Sequence, residues 1–285
     1  MIPSAFEYRE AGSVDEAISL LGDHGDDAKL LAGGHSLLPL MKLRLASPAV
    51  LIDIGRLREL SYVRDGGNHV AVGALTRHRD VETAPLLAAE APLLARVAGQ
   101  VGDPQVRHRG TIGGSVAHGD PASDLPAACL ALGATFVARG PGGERQIAAD
   151  AFFRGFLETA LGPDELLTEI RVPKQPGARW GWQKFTRRAQ DWAIVGVAAV
   201  IDGTPRVALI NMDDHPVRAR AVEEALGGGA TPADAAQRAA EGVSPPTDLN
   251  GEPNTVLTWP GCSSSAPWKQ RAEPLAPSWR RGGAR

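Results

Sequence analysis

The chain has 285 residues, of which 43% are hydrophobic, enough for two globular domains that each bury a core. A formal net charge of −3 argues against nucleic acid as the principal partner, and the two cysteines, Cys129 and Cys262, are too few for an iron–sulfur cluster, which takes four thiolates. No apolar run is long enough for a transmembrane segment, and the start, MIPSAFEYRE, lacks the charged and apolar regions of a secretory leader, so a cytoplasmic protein is expected.

In chain order, SVDEAISLLG predicts a helix: Ser13 and Glu16 make a capping box, Val14, Ala17, Ile18 and Leu21 share one face, and Gly22 ends it. AKLLAGG predicts a buried strand that runs into a glycine turn, and HSLLPLMKLRLA a helix from about Ser36 with Pro39 near its first turn. VLIDI and HVAVGAL are strands. A helical region covers about Thr76 to Val101, broken at Pro85 and Pro92. The basic run RHRG, Arg107 to Gly110, reads by default as a solvated face. SDLPAACLALGA is a helix capped by Ser123 or Asp124 and stopped by Gly133, with Cys129 as a buried small residue. ATFVARGPGGERQIAA alternates about a glycine-rich turn as a hairpin, and DELLTEIRVP is one more strand.

After KQPGA, with a boundary near residues 174–178, the pattern changes. RWGWQKFT, AIVGVAAVI and RVALINM predict three strands, and PVRARAVEEALGGG and TPADAAQRAAEG two helices, the second opened by Thr231, Pro232 and Asp234. The fold class is therefore α+β, with a first domain over 1–175 (subdomains about 1–55 and 56–175) and a smaller one over 176–253.

Two stretches resemble each other: AGGHS, Ala32 to Ser36, and TIGGS, Thr111 to Ser115. Glycines let backbone N–H groups approach a ligand closely, and successive N–H groups make an anion-binding concavity. Ser36, Thr111 and Ser115 add hydroxyls, and a helix that follows adds its positive end. One Gly-Gly pair alone is most often a tight turn. Two loops of matching chemistry suit a ligand with two phosphates, one to each loop. Neither GxGxxG nor GxxxxGK[ST] occurs, so this is not the doubly wound dinucleotide site.

LAGGHSLLPLMK together with GDPQVRHRGTIGGSVAHGDPASDLPA resembles the FAD-binding medium subunit of molybdenum hydroxylases, most like the carbon monoxide dehydrogenase type, over Met1 to about Gly251. The resemblance implies a two-subdomain FAD-binding domain of the vanillyl-alcohol-oxidase (PCMH) type, followed by an α+β flavoprotein C-terminal domain. It implies FAD contacts by Ala32, Gly33, Gly34, His35, Ser36 and Leu37, and by Thr111, Ile112, Gly113, Gly114 and Ser115. Asp124 would reach the sugar chain of FAD, a role compatible with capping its helix. Lys184 would be a contact from the C-terminal domain, and Trp192 would lie near the flavin ring, against the alternative of core packing. No catalytic base and no metal site are assigned; His35 and His118 are read as loop or FAD-shell residues, since the cofactor carries the chemistry. The implied partners are a large molybdopterin subunit and a small subunit with 2Fe-2S clusters, in a heterotrimer that dimerises. This chain would pass their electrons to an external acceptor. The alternatives are the FAD subunit of a xanthine- or aldehyde-type dehydrogenase, a stand-alone flavin oxidase, and a non-catalytic module that has lost assembly.

The tail, 254–285, rich in Trp, Pro, Ser and Arg, lacks helical period. One degenerate codon set for Asn254 to Gln270, read two bases later, yields YRAHLAGVLVVRALEA, which has apolar residues at helical spacing. The tail is therefore read as the product of a frame shift near Pro253 or Asn254, and poor order is expected beyond it.

Overall fold

The structure, a computed structural model, describes residues 2–247; the tail reading, 254–285, lies outside the described residues. The first sheet is β1 (Glu7–Glu10), β2 (Ala28–Leu31) and β3 (Val50–Asp53), all parallel in the order β1-β3-β2, with both Glu7 and Ala28 opposite Val50. The connection from β1 to β2 is α1 (Val14–His24), which buries Val14, Ala17, Ile18 and Leu21 as its period requires. Ser13 Oγ accepts from the Glu16 N–H, while the Glu16 carboxylate accepts from Gly12, one residue short of the reciprocal capping-box bond. The connection to β3 is α2 (Leu37–Leu43).

The second sheet is antiparallel. Its strands β4 (Val63–Asp65) and β5 (His69–Gly73) lead into a helical layer. Here α3 (His78–Thr83), α4 (Pro85–Glu90), α5 (Pro92–Ala98) and α6 (Pro104–Arg109) follow closely, three of them opened by the proline that ends the previous segment. Next come α7 (Ile112–His118) and α8 (Asp124–Leu132). The sheet is completed by β6 (Thr135–Gly140) and β7 (Gly143–Ala148); after the small hairpin β8 (Phe153–Gly155) and β9 (Glu158–Thr159), β10 (Leu166–Pro173) inserts at its centre, giving β4-β5-β10-β6-β7.

The third sheet differs from the expected three strands. It has four, β11 (Arg179–Phe185), β12 (Val195–Asp202), β13 (Thr204–Ile210) and β14 (Val217–Arg218), in sequence order. The segment read as one helix from Pro216 first pairs Val217 and Arg218 with Leu209 and Ala208, and only then enters α9 (Arg220–Gly227). The pairing is held by Arg218, whose guanidinium makes a two-pronged bond of 2.8 Å to Glu223 and a bond of 2.9 Å to Asp150. Glu223 also accepts the Val207 N–H. The last described helix is α10 (Pro232–Ala236), capped by Thr231 as expected.

Both faces of this sheet are covered, which explains the unbroken apolar run of β12. Ala198, Val200, Ala208 and Ile210 belong to the main core with α8, while Val195, Val197, Ala199, Val207 and Leu209 pack with Val222 of α9 and Ala235 of α10. Every residue of α8 is buried, so it forms the shared wall between the second and third sheets.

Candidate functional site

The loops after β2 and α6, the start of α8 and the β11–β12 link surround a cleft of about 460 Å³. All the binding residues expected from the sequence line it except Ile112. Ile112 is fully buried in the main core and anchors its loop from behind, its N–H donating to the Thr76 carbonyl at 3.0 Å.

The first loop presents donors. Among the described residues, no protein acceptor takes the backbone N–H groups of Gly33, Gly34, His35, Ser36 or Leu37. The chain turns through Gly34 in the left-handed region (φ 78°), where a side chain is strained. The Ser36 hydroxyl makes no capping bond to α2 and is free to donate. Gly33 is required for a different reason. A Cβ there would overlap the Arg109 carbonyl oxygen and lie 2.9 Å from Gly110 Cα, so only glycine lets the two loops touch.

The second loop does not repeat this arrangement. Four of its five N–H groups are already taken: Ile112 on Thr76 O, Gly113 on Ala74 O at 2.8 Å, Gly114 on Thr111 Oγ1 at 3.2 Å and Ser115 on Thr111 O at 3.1 Å. Among the described residues, the amides of Ile112 to Ser115 therefore offer no run of free donors. Gly113 serves packing, since a Cβ would fall 2.6 Å from the Ala74 carbonyl oxygen. What the loop offers the cleft is hydroxyl chemistry, from Thr111 and from Ser115, whose side chain has no partner among the described residues.

Asp124 occupies the first turn of α8 without capping it, and Ser123 at the cap position makes no side-chain bond either. Instead Asp124 Oδ2 accepts from Lys184 Nζ of β11 at 2.7 Å, a buried ion pair between the two halves of the chain. Asp124 Oδ1 is buried with no partner among the described residues. Burial pushes its pKa up to about 6, against the opposing pull of Lys184. Trp192 lines the cleft yet is 56% exposed, so it is not a core residue. Gln190, at φ 71°, turns the loop that carries it. Burial lowers the pKa of His118, and Asp120, beside it in the chain, accepts the Ala122 N–H in a local turn. Neither His35 nor His118 falls in a grouping of potential metal ligands among the described residues. The sequence reading missed His78, which lines the cleft from the start of α3 and has no motif around it to mark it.

A donor loop, two hydroxyls and a buried carboxylate oxygen awaiting a donor together suit a ligand with a diphosphate at one end and sugar hydroxyls nearby. The chain belongs to the family of FAD-binding domains in molybdopterin dehydrogenases, which matches residues 4–175, and its second part matches the CO dehydrogenase flavoprotein C-terminal domain over 180–254. Among named relatives, it is 45% identical to the carbon monoxide dehydrogenase medium chain of Hydrogenophaga pseudoflava over 88% of this chain and 92% of that one. It is 39% identical to the 6-hydroxypseudooxynicotine dehydrogenase complex subunit alpha of Paenarthrobacter nicotinovorans, over 81% and 75%. The solved structure of the Hydrogenophaga pseudoflava carbon monoxide dehydrogenase lacking the Mo-pyranopterin moiety superposes with a TM-score of 0.89 at 45% identity, covering 94% of this chain and 99% of that chain. FAD is thus the cofactor of an oxidoreductase family, and the donors and the orphaned Asp124 Oδ1 fit it.

A pH dependence follows from that fit. A ligand hydroxyl donated to Asp124 Oδ1 would favour the ionised carboxylate and so lower its pKa from about 6. Affinity is then full above that value and falls as pH drops through it, by at most about tenfold per pH unit for one proton. Fluorescence titration of FAD across this range should show the fall, and D124N should flatten it.

Proposed function

We propose that this chain is the FAD-bearing electron-transfer subunit of a molybdenum hydroxylase, most like the carbon monoxide dehydrogenase medium chain. The observation that carries the reading is the run of five unspent amides, Gly33 to Leu37, in a cleft that also holds the unpartnered Asp124 Oδ1. Bound FAD supplies the redox chemistry. The residues of this chain bind and orient it: the amides and the Ser36 and Ser115 hydroxyls hold the diphosphate, Asp124 takes a sugar hydroxyl, and Lys184 keeps Asp124 in place. Trp192 shields the flavin end.

The electrons come from a small 2Fe-2S subunit fed by a large molybdopterin subunit, and leave to an external acceptor. The cysteine content supports this division, because Cys129 is fully buried and burial raises its pKa to about 12, so it is no thiolate ligand. The three subunits form a heterotrimer that dimerises, in the cytoplasm; among the described residues no helix is long and apolar enough to cross a membrane.

The reading is tested by anaerobic reduction. Flavin absorbance of the isolated, FAD-loaded chain should persist under carbon monoxide and bleach only when the molybdopterin and 2Fe-2S subunits are added. Bleaching of the isolated chain by an organic substrate would instead make it a self-sufficient oxidase.

A further inference from the structure

The link between β5 and α3 grips the ridge on which the first glycine loop rests. The His78 N–H donates to the Gly110 carbonyl at 3.0 Å, and the Ile112 N–H donates back to Thr76. The Arg77 guanidinium bonds the Arg109 carbonyl, and Arg77 bridges to Thr111 as an isolated β-pair. The imidazole of His78 packs directly on Gly110: a Cβ there would fall 2.6 Å from its Cδ2 and 2.7 Å from its Nε2. On the other side, Gly33 is pressed against Arg109 and Gly110. The contacts therefore run His78, Gly110, Gly33 in series, from the helical layer to the donor loop.

His78 is 4% exposed, and its Nδ1 is buried with no partner among the described residues. A buried polar atom without a partner is destabilising, and an apolar side chain would avoid that loss. Burial, with His35, Arg77 and Arg107 facing the ring, pushes its pKa down to about 4, so it is uncharged at neutral pH and demands no counter-ion. What remains distinctive about the ring is its flat shape and its place.

We propose that His78 is a positioning residue for the diphosphate end of the cofactor: its imidazole, wedged on Gly110, sets the spacing between the Arg109–Gly110 ridge and the Gly33 loop. The inference rests on the FAD reading above. It concerns the phosphate end alone, because Asp124, Lys184 and Trp192 lie on other elements. Gly110 is glycine because the ring occupies the place of its Cβ.

The test is a double-mutant cycle on G110A, H78A and the pair, read as the affinities for FAD and for riboflavin, which lacks the diphosphate. G110A and H78A should each weaken FAD about tenfold or more, the size of coupling expected of residues in contact, and leave riboflavin nearly unchanged. The double variant should bind FAD better than G110A, because removal of the ring makes room for the new methyl group. Additive losses, or equal losses for both ligands, overturn the inference while leaving the FAD reading intact. Failure of the unmodified chain to bind FAD removes both. If G110A does not fold, the FAD-to-riboflavin ratio of H78A alone decides: an unchanged ratio overturns the inference.

Discussion

Replacing Gly33 by alanine should lower FAD affinity about a hundredfold, near the upper end, ~3 kcal/mol, of what overpacking costs. The new Cβ meets backbone on the far side, the Arg109 carbonyl and Gly110 Cα, and backbone held by the Arg77 and His78 contacts has little freedom to retreat. The first loop must then lift away from the second, and the five donor amides move with it. Gly114 gives the contrast. A Cβ there meets only Thr111 Oγ1, at 2.8 Å, and then Ala32 Cβ at 4.0 Å, so G114A disturbs one internal hydrogen bond and should cost severalfold at most, about 1 kcal/mol. Parallel FAD titrations of the two variants, with circular dichroism to establish folding, check the order. Equal losses would mean that the loops are equivalent after all.

Lys184→Met should destabilise the chain by about 3–5 kcal/mol at neutral pH, because it leaves the Asp124 carboxylate buried without its cation. The sign with pH follows from the direction of the shift. Asp124 already has a folded pKa, about 6, above its ordinary value. The folded state therefore holds a proton that the unfolded state has lost, and stability falls as pH rises between the two values. Loss of Lys184 raises the folded pKa further and extends that fall to higher pH. Thermal unfolding of K184M should thus lag the parent most under alkaline conditions and less in mild acid. The D124N/K184M pair, with no buried charge, should recover much of the loss. A deficit independent of pH would place the role of Lys184 in packing instead.

How far the sequence predicts this arrangement depends on how local each signal is. The α1 stripe, the prolines that open α4 and α5, Gly133 ending α8 in the left-handed region and the apolar run of β12 are all decided within a few residues, and all are legible. Strand β1 is not: all four of its side chains are exposed, so it has no apolar period and exists only through its pairing with β3. The fourth strand of the last sheet is two residues held by Arg218, too short to interrupt a helical pattern.

The same distinction governs the site. The glycine pairs are visible, but the difference between the loops is not: two of the second loop's amides are taken by the Ala74 and Thr76 carbonyls, far upstream in the chain, and two more by Thr111 within the loop. Asp124 reads as a cap, a ligand or both; the structure places it one residue inside α8, behind Ser123, and pairs it with Lys184 from another sheet, a contact no local pattern shows. His78 had no local signal, since its role depends on Gly110. The match to the C-terminal family domain ends at residue 254, where the composition of the chain also changes, and sequencing of the gene across that codon tests the frame directly.

In the proposed mode of FAD binding, the loop Gly33–Leu37 supplies the run of backbone donors and the amides of Ile112–Ser115 do not. Hydrogen–deuterium exchange at residue resolution, with and without FAD, tests it most directly. The amides of Gly33 to Leu37 should exchange fast in the free chain and become protected when FAD binds, while those of Ile112 to Ser115 should be protected in both states. Protection gained at 112–115, with none gained at 33–37, would contradict it.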